Sequence, residues 1–144
     1  MSNNEKVHWK ESYSVGIRLV DHQHKKLFDL VNRLYDLEDN VNIKEQIREI
    51  LYAFREYTIV HFKDEEDYMK DIGYPELNNQ KQLHKDIIES LSQIMQTPAS
   101  LSIIKTKMRI VAKRVLIEHI VIEDQKIGVY VREHNIKEKI YNIN

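Results

Sequence analysis

Apolar residues recur along most of the chain at alternating spacings of three and four, the period of a helix with one face to a core. His24, Leu27, Val31 and Leu34 form one such stripe. Its helix is expected to open at Asp21, a good N-cap residue, and to end at NVN, residues 40–42. Ile47, Leu51, Phe54, Thr58, His61 and Glu65 form a second stripe, on a helix that continues to about Met69. DIGYP, residues 71–75, punctuates its end. Gly73 suits the left-handed backbone that follows a helix, and Pro75 cannot continue one. Leu77, Gln80, His84, Ile87, Leu91 and Ile94 form a third stripe, broken by TPAS, residues 97–100. Leu101, Ile104, Met108, Val111, Val115, His119 and Ile122 form a fourth, on a helix expected to end near Gly128. Residues 1–20 show no clear period. They read as an N-terminal arm that packs through Trp9, Tyr13, Val15, Ile17 and Leu19. VYVREHNIKEKIYNIN, residues 129–144, reads as a short C-terminal segment, a helix docked through Val129, Val131 and Ile136. Four amphipathic helices with short connections predict an all-α fold, an antiparallel up-down-up-down four-helix bundle. A single domain is expected over residues 1–144.

Composition supports helix and narrows the chemistry. The chain has 144 residues, enough for one domain with a real core. Three Gly and two Pro are too few for an all-β chain of many tight turns. The absence of Cys excludes disulfides, thiolate zinc sites and iron–sulfur clusters. Any metal must therefore be held by imidazole, carboxylate or neutral oxygen. A net charge of -1 offers no bulk attraction for nucleic acid or anionic lipid, and neither is expected as a partner. No apolar stretch approaches the ~20 residues of a membrane span. The start, MSNNEKVHWK, has no apolar run of signal-peptide type. A cytoplasmic monomer is the expectation.

Each helix places an imidazole on its apolar stripe: His24, His61, His84 and His119. One inward histidine is ordinarily a hydrogen-bonded core residue. Four of them with a carboxylate cost several kcal/mol unless each is paired, and a metal centre offsets that cost. In an alternating bundle the start of the first helix, the end of the second, the start of the third and the end of the fourth share one layer. All four histidines fall in it. His61 and Glu65, at i and i+4, reach one point. Glu66 points about 100° away and reads as solvated. Asp124 lies five residues after His119, about 140° off its face in an ideal helix. Either it sits at a bundle seam or the helix is distorted there. Gln80 lies one turn before His84 on the same face. Nitrogen-rich ligation with one or two carboxylates suits Fe, Zn, Mn or Cu. The donor count exceeds the usual three or four of a mononuclear site, which favours two metals. His8, His22 and His134 read as bystanders.

These residues fall in longer patterns. W-x3-Y-x-V-G-I-x3-D-x-Q-H appears as Trp9, Tyr13, Val15 to Ile17, Asp21, Gln23 and His24. Tyr57, His61, Phe62, Glu65, Glu66 and Met69 follow, then Gly73-Tyr74-Pro75, then Leu116, His119, Ile120 and Asp124. With them the chain resembles the hemerythrin family, specifically the small bacterial hemerythrins. The resemblance implies two non-haem iron ions with an oxo or hydroxo bridge, binding O2 or another small diatomic ligand reversibly for storage, delivery or sensing. It implies that His24 and His61 are terminal ligands of the iron with the open position. Glu65 and Asp124 would bridge, and His84 and His119 would hold the other iron. The third histidine of that iron falls at Gln80. Three alternatives follow: Gln80 binds through its oxygen, it hydrogen-bonds a water in that place, or the second iron is loosely held. A second departure is Val115, where many relatives carry Trp, leaving more room near the pair; Leu116 matches the family's pocket leucine. No general acid–base pair is visible apart from the metal-capable residues, so an oxygen-binding protein is favoured over an enzyme. The alternative is a di-iron enzyme that reacts with peroxide, O2 or NO because of Gln80. A storage or structural bundle without gas chemistry comes third.

Overall fold

The computed structural model describes residues 6–137, and every regular element among them is helical. After a 3-10 turn at Glu11–Tyr13 come three α-helices: α1 (Arg18–Tyr35), α2 (Ile43–Asp71) and α3 (Leu77–Gln96). The fourth rod is continuous helical backbone in three registers. α4 (Leu101–Ala112) passes into a π-helical segment (Lys113–Asp124) and then into α5 (Gln125–Glu133). Consecutive rods pack side by side, and α1 closes against the π segment. The result is the antiparallel up-down-up-down four-helix bundle that the apolar period predicts. Among the described residues no helix is long and apolar enough to cross a membrane.

The helix ends refine the expected boundaries. α1 opens one turn earlier than Asp21. Asp21 sits in its first turn, where its carboxylate accepts hydrogen bonds from the Val15 amide and the Ser14 hydroxyl and so ties down the arm. α1 also stops at Tyr35, before NVN. There Lys105 donates to the carbonyls of Tyr35 and Leu37, covering an open helix C-terminus. The end of α2 is as expected. Gly73 is left-handed at φ 69, its amide bonds to Lys70 and the Tyr74 amide to Met69, the double closure of a Schellman motif.

The fourth rod does not end near Gly128. It continues to Glu133 and closes on a left-handed Asn135, with the Ile136 amide bonded to Val131. Gly128 has a different task. A Cβ built there would lie 2.3 Å from the Val15 carbonyl oxygen, so only glycine lets the arm lie this close to α5. Val129 is exposed rather than docked, whereas Val131 packs partly buried. The remainder of the expected tail, residues 138–144, lies outside the described residues. Ile122 is also exposed, because the π register shifts the inward face to Ile120 and Asp124.

The core is divided. A large apolar cluster includes Leu27, Phe28, Phe54, Phe62, Ile87, Leu91, Val115, Leu116 and Ile120. A smaller one joins Val15, Ile17 and Val20 to Tyr68, Met69, Tyr74 and Ile127. On every rod at least one inward polar residue lies in sequence between members of the two clusters. His24 falls between Val20 and Leu27, and Glu65 between Phe62 and Tyr68. His84 falls between Leu77 and Ile87, and Asp124 between Ile120 and Ile127. The bundle therefore carries one polar layer between two apolar layers.

Candidate metal centre

That polar layer holds His24, His61, Glu65, Gln80, His84, His119 and Asp124, all buried. Two groups of four emerge, each with donor atoms within 4.8 Å of one another. One is His24, His61, Glu65 and Asp124; the other is Glu65, His84, His119 and Asp124. Both carboxylates belong to both groups. The Glu65 oxygens reach in opposite directions: Oε2 lies 3.4 Å from His61 Nε2, and Oε1 lies 3.1 Å from His84 Nε2. Asp124 does the same, with Oδ2 3.0 Å from His24 Nε2 and Oδ1 3.2 Å from His119 Nε2. His8, His22 and His134 lie outside both groups.

The π segment explains Asp124. Hydrogen bonds from i to i+5 widen the turn by one residue, so residues five apart stack on one face. His119 and Asp124 are five apart and lie within the segment. Of the two alternatives left by the α-helical period, local distortion is the one found.

Whether the site fits a cation can be judged from its unpaired atoms. Both His24 ring nitrogens, His61 Nε2, both Glu65 oxygens, Gln80 Oε1 and Asp124 Oδ2 are buried without a hydrogen-bond partner. An unsatisfied buried polar atom costs about 1–3 kcal/mol. Seven in one layer is an arrangement that bonds to cations, rather than hydrogen bonds, would largely satisfy. The close N···O approaches of His24 to Asp124 and His61 to Glu65 lack hydrogen-bond orientation; they are donors gathered around common points. Imidazole nitrogen with carboxylate oxygen is a transition-metal donor set.

Electrostatics among the protein groups alone are strained accordingly. Burial opposes charge on His24 and His119, but the adjacent carboxylates prevail and raise their pKa values to about 9 and about 10. Burial dominates at His61 and lowers it to about 3. Burial pushes Glu65 upward, yet His61 and the other surrounding imidazoles hold it well below the usual carboxylate range. Asp124 is likewise lowered, against burial and the Glu65 charge, by His119 and His24.

The sequence pattern of the hemerythrin HHE cation binding domain matches residues 15–131. The chain belongs to the hemerythrin family. It is 33% identical over 138 residues to a bacteriohemerythrin of Campylobacter jejuni, covering 92% of this chain and 97% of that protein. It is 36% identical over 86 residues to a bacteriohemerythrin of Clostridium acetobutylicum, covering 58% of this chain and 67% of that one. A Stenotrophomonas maltophilia bacteriohemerythrin is 25% identical over 126 residues, 88% of this chain and 82% of its own.

Two residues of this hemerythrin bundle escape the sequence reading. Glu66 is not simply solvated: its Oε2 lies 2.7 Å from His84 Nδ1. The side chain remains a quarter exposed, so it links the buried ring to the surface. Gln23 Oε1 lies 2.6 Å from His61 Nδ1, and its amide nitrogen donates to Asp64 at 2.8 Å. Both contacts cross between helices, and no spacing along one helix reports them. The available signal was adjacency: Gln23 precedes His24, and Glu66 follows Glu65. Thr58, also on an inward stripe, is satisfied by its own helix through the Phe54 carbonyl.

Proposed function

We propose that this chain binds O2 reversibly at a pair of non-haem iron ions. His24, His61, Glu65 and Asp124 would hold one ion, and His84, His119, Glu65 and Asp124 the other. The observation that carries this reading is the sharing of Glu65 and Asp124 by two four-residue groups, with the oxygens of each carboxylate directed to different imidazoles. One ion has no use for two carboxylates spread in this way; two ions do. Bacteriohemerythrin, the name borne by the relatives, agrees with it. The iron pair, when bound, supplies reversible redox chemistry that side chains lack.

The chain supplies orientation and dryness. Gln23 and Glu66 hold the rings of His61 and His84. Phe62 stacks on His84 at 3.7 Å and also contacts the rings of His61 and His119, walling three imidazoles with hydrocarbon. Leu116 and Ile120, both fully buried, flank His119 along the π segment. Apolar walls favour release of the same ligand that entered. A monomer in the cytoplasm completes the proposal.

The test is iron per chain after reconstitution, then optical spectra under O2 and argon. Two irons are expected, with a band that appears under O2 and fades under argon through repeated cycles. Single-pass oxidation with turnover of peroxide or NO by a reductant would support the enzymatic reading, which Gln80 motivates. A folded chain that takes up no iron would support a structural bundle.

A further inference from the structure

We propose that the metal held by His84 and His119 keeps an exchangeable coordination position of its own, beside Gln80, open to a small diatomic or anionic ligand such as NO or azide. The inference rests on the two-metal reading above. In this chain the two donor groups are equivalent in kind: two imidazoles each, plus the shared Glu65 and Asp124. Two histidines with carboxylate ligation leave positions free on an iron ion. The His84/His119 half therefore has the same reason to be open as the His24/His61 half.

Gln80 stands at the remaining place, and its hydrogen bonds say how it behaves. Its amide nitrogen is 3.4 Å from Asp124 Oδ1 and 3.3 Å from the Glu123 carbonyl. Both partners are acceptors only, so turning the amide over would set oxygen against two oxygens. The NH2 end is thus committed to Asp124 and Glu123, where it steadies a shared carboxylate. The Oε1 end is buried and has no hydrogen-bond partner. It is an acceptor suited to the proton of a bound water or hydroxide, and a weak neutral donor where it meets metal. Neither role closes the position as an imidazole would.

This half also has its own approach from solvent. A cleft of about 420 Å³ lies between α3 and the π segment, lined by Leu83, Ile87, His119 and Glu123 among others. It reaches both His119 and the residue whose carbonyl holds Gln80. Neither His24 nor His61 lines this cleft, so the solvent-facing side of His119 is separate from theirs.

The experiment titrates the full-length, iron-loaded, reduced chain with NO under argon. It reads NO bound per iron pair and the number of N–O stretching bands. Two NO per pair are expected for the natural chain. Gln80→His, which adds a third imidazole, is expected to bind one, and Gln80→Ala to keep two. Circular dichroism verifies that the variants fold, and the natural chain's stoichiometry needs no variant. Two irons per chain with saturation at one NO overturns this inference and leaves the two-iron reading intact. Fewer than two irons per chain overturns both. Two NO per pair in Gln80→His overturns the assignment of the second position to Gln80.

Discussion

Asp64 lies in neither donor group, yet it decides which nitrogen of His61 carries the proton. A carboxylate only accepts, so the Gln23 amide must turn its NH2 toward Asp64 and its oxygen toward His61. His61 Nδ1 must then carry the proton, and Nε2 presents a lone pair to Glu65 and the site. Glu66 imposes the same tautomer on His84 in one step. Partners of this kind are typically worth a 10–100-fold change in metal affinity. Glu66→Ala is expected to weaken iron binding by about that factor in competition with a chelator, while Glu66→Gln, which keeps an acceptor, loses less. Protons tell a second story at this scale. His24 and His119 titrate near 9 and 10 among the protein groups alone, above the ordinary 6.5. At pH 7.5 both are charged, and a cation must expel their protons. Ferrous iron added to metal-free protein in weak buffer should release about two protons per chain, read with an indicator dye. Metal affinity should fall as pH falls. For the metal-free chain the sign is opposite. Raised folded-state values contribute stability in full below about 6.5, and that contribution is lost as pH climbs through 9 to 10. His61, lowered to about 3, contributes above 6.5 and is lost as pH falls toward 3. Urea midpoints across pH 3 to 10 measure both arms.

At the scale of elements, the three α-helices follow the stripes closely because a 3.6-residue period is a local property. The fourth rod does not, because its π register is a choice between hydrogen-bond partners that local propensity barely distinguishes. The cost of wider turns is accepted where they bring His119 and Asp124 to one face and leave Ile122 in solvent. Glycines show a similar division. Gly73 is legible from sequence, since a helix end with Pro two residues on asks for it. Gly128 is not, since its neighbour is Val15, more than a hundred residues earlier. Gly73→Ala meets nothing within 4 Å and should cost only the left-handed backbone penalty, roughly 1–2 kcal/mol. Gly128→Ala drives a methyl into the Val15 carbonyl. It should cost roughly 1–3 kcal/mol and speed amide exchange at Val15. Equal exchange at Val15 in the two variants would show that the close approach does not hold the arm.

For the whole molecule, the polar layer is both the functional feature and the weak plane. Apolar clusters lie on either side of it, and inside it seven buried polar atoms have no hydrogen-bond partner. Metal binding should therefore act as folding energy. With free metal at 1,000 times its Kd the loaded chain gains about 4 kcal/mol. Chelation should lower the urea midpoint, and hydrogen exchange should rise first in the segments that carry His24, Glu65, His84 and Asp124. An unchanged midpoint after iron removal would show that the layer is satisfied without metal. Four rods, their apolar faces, the absence of thiolate chemistry and the layer shared by four histidines are all legible along the chain. Each depends on residue type and on a period set by neighbours along one chain. Packing of the folded bundle turns Asp124 inward and lets Glu66 and Gln23 orient imidazoles on other helices. It alone decided that Gln80 gives its NH2 to Asp124 and Glu123, and that Gly128 admits the arm. Those are contacts between distant segments, selected by packing and by the need to pair buried polar atoms, and no local period carries them.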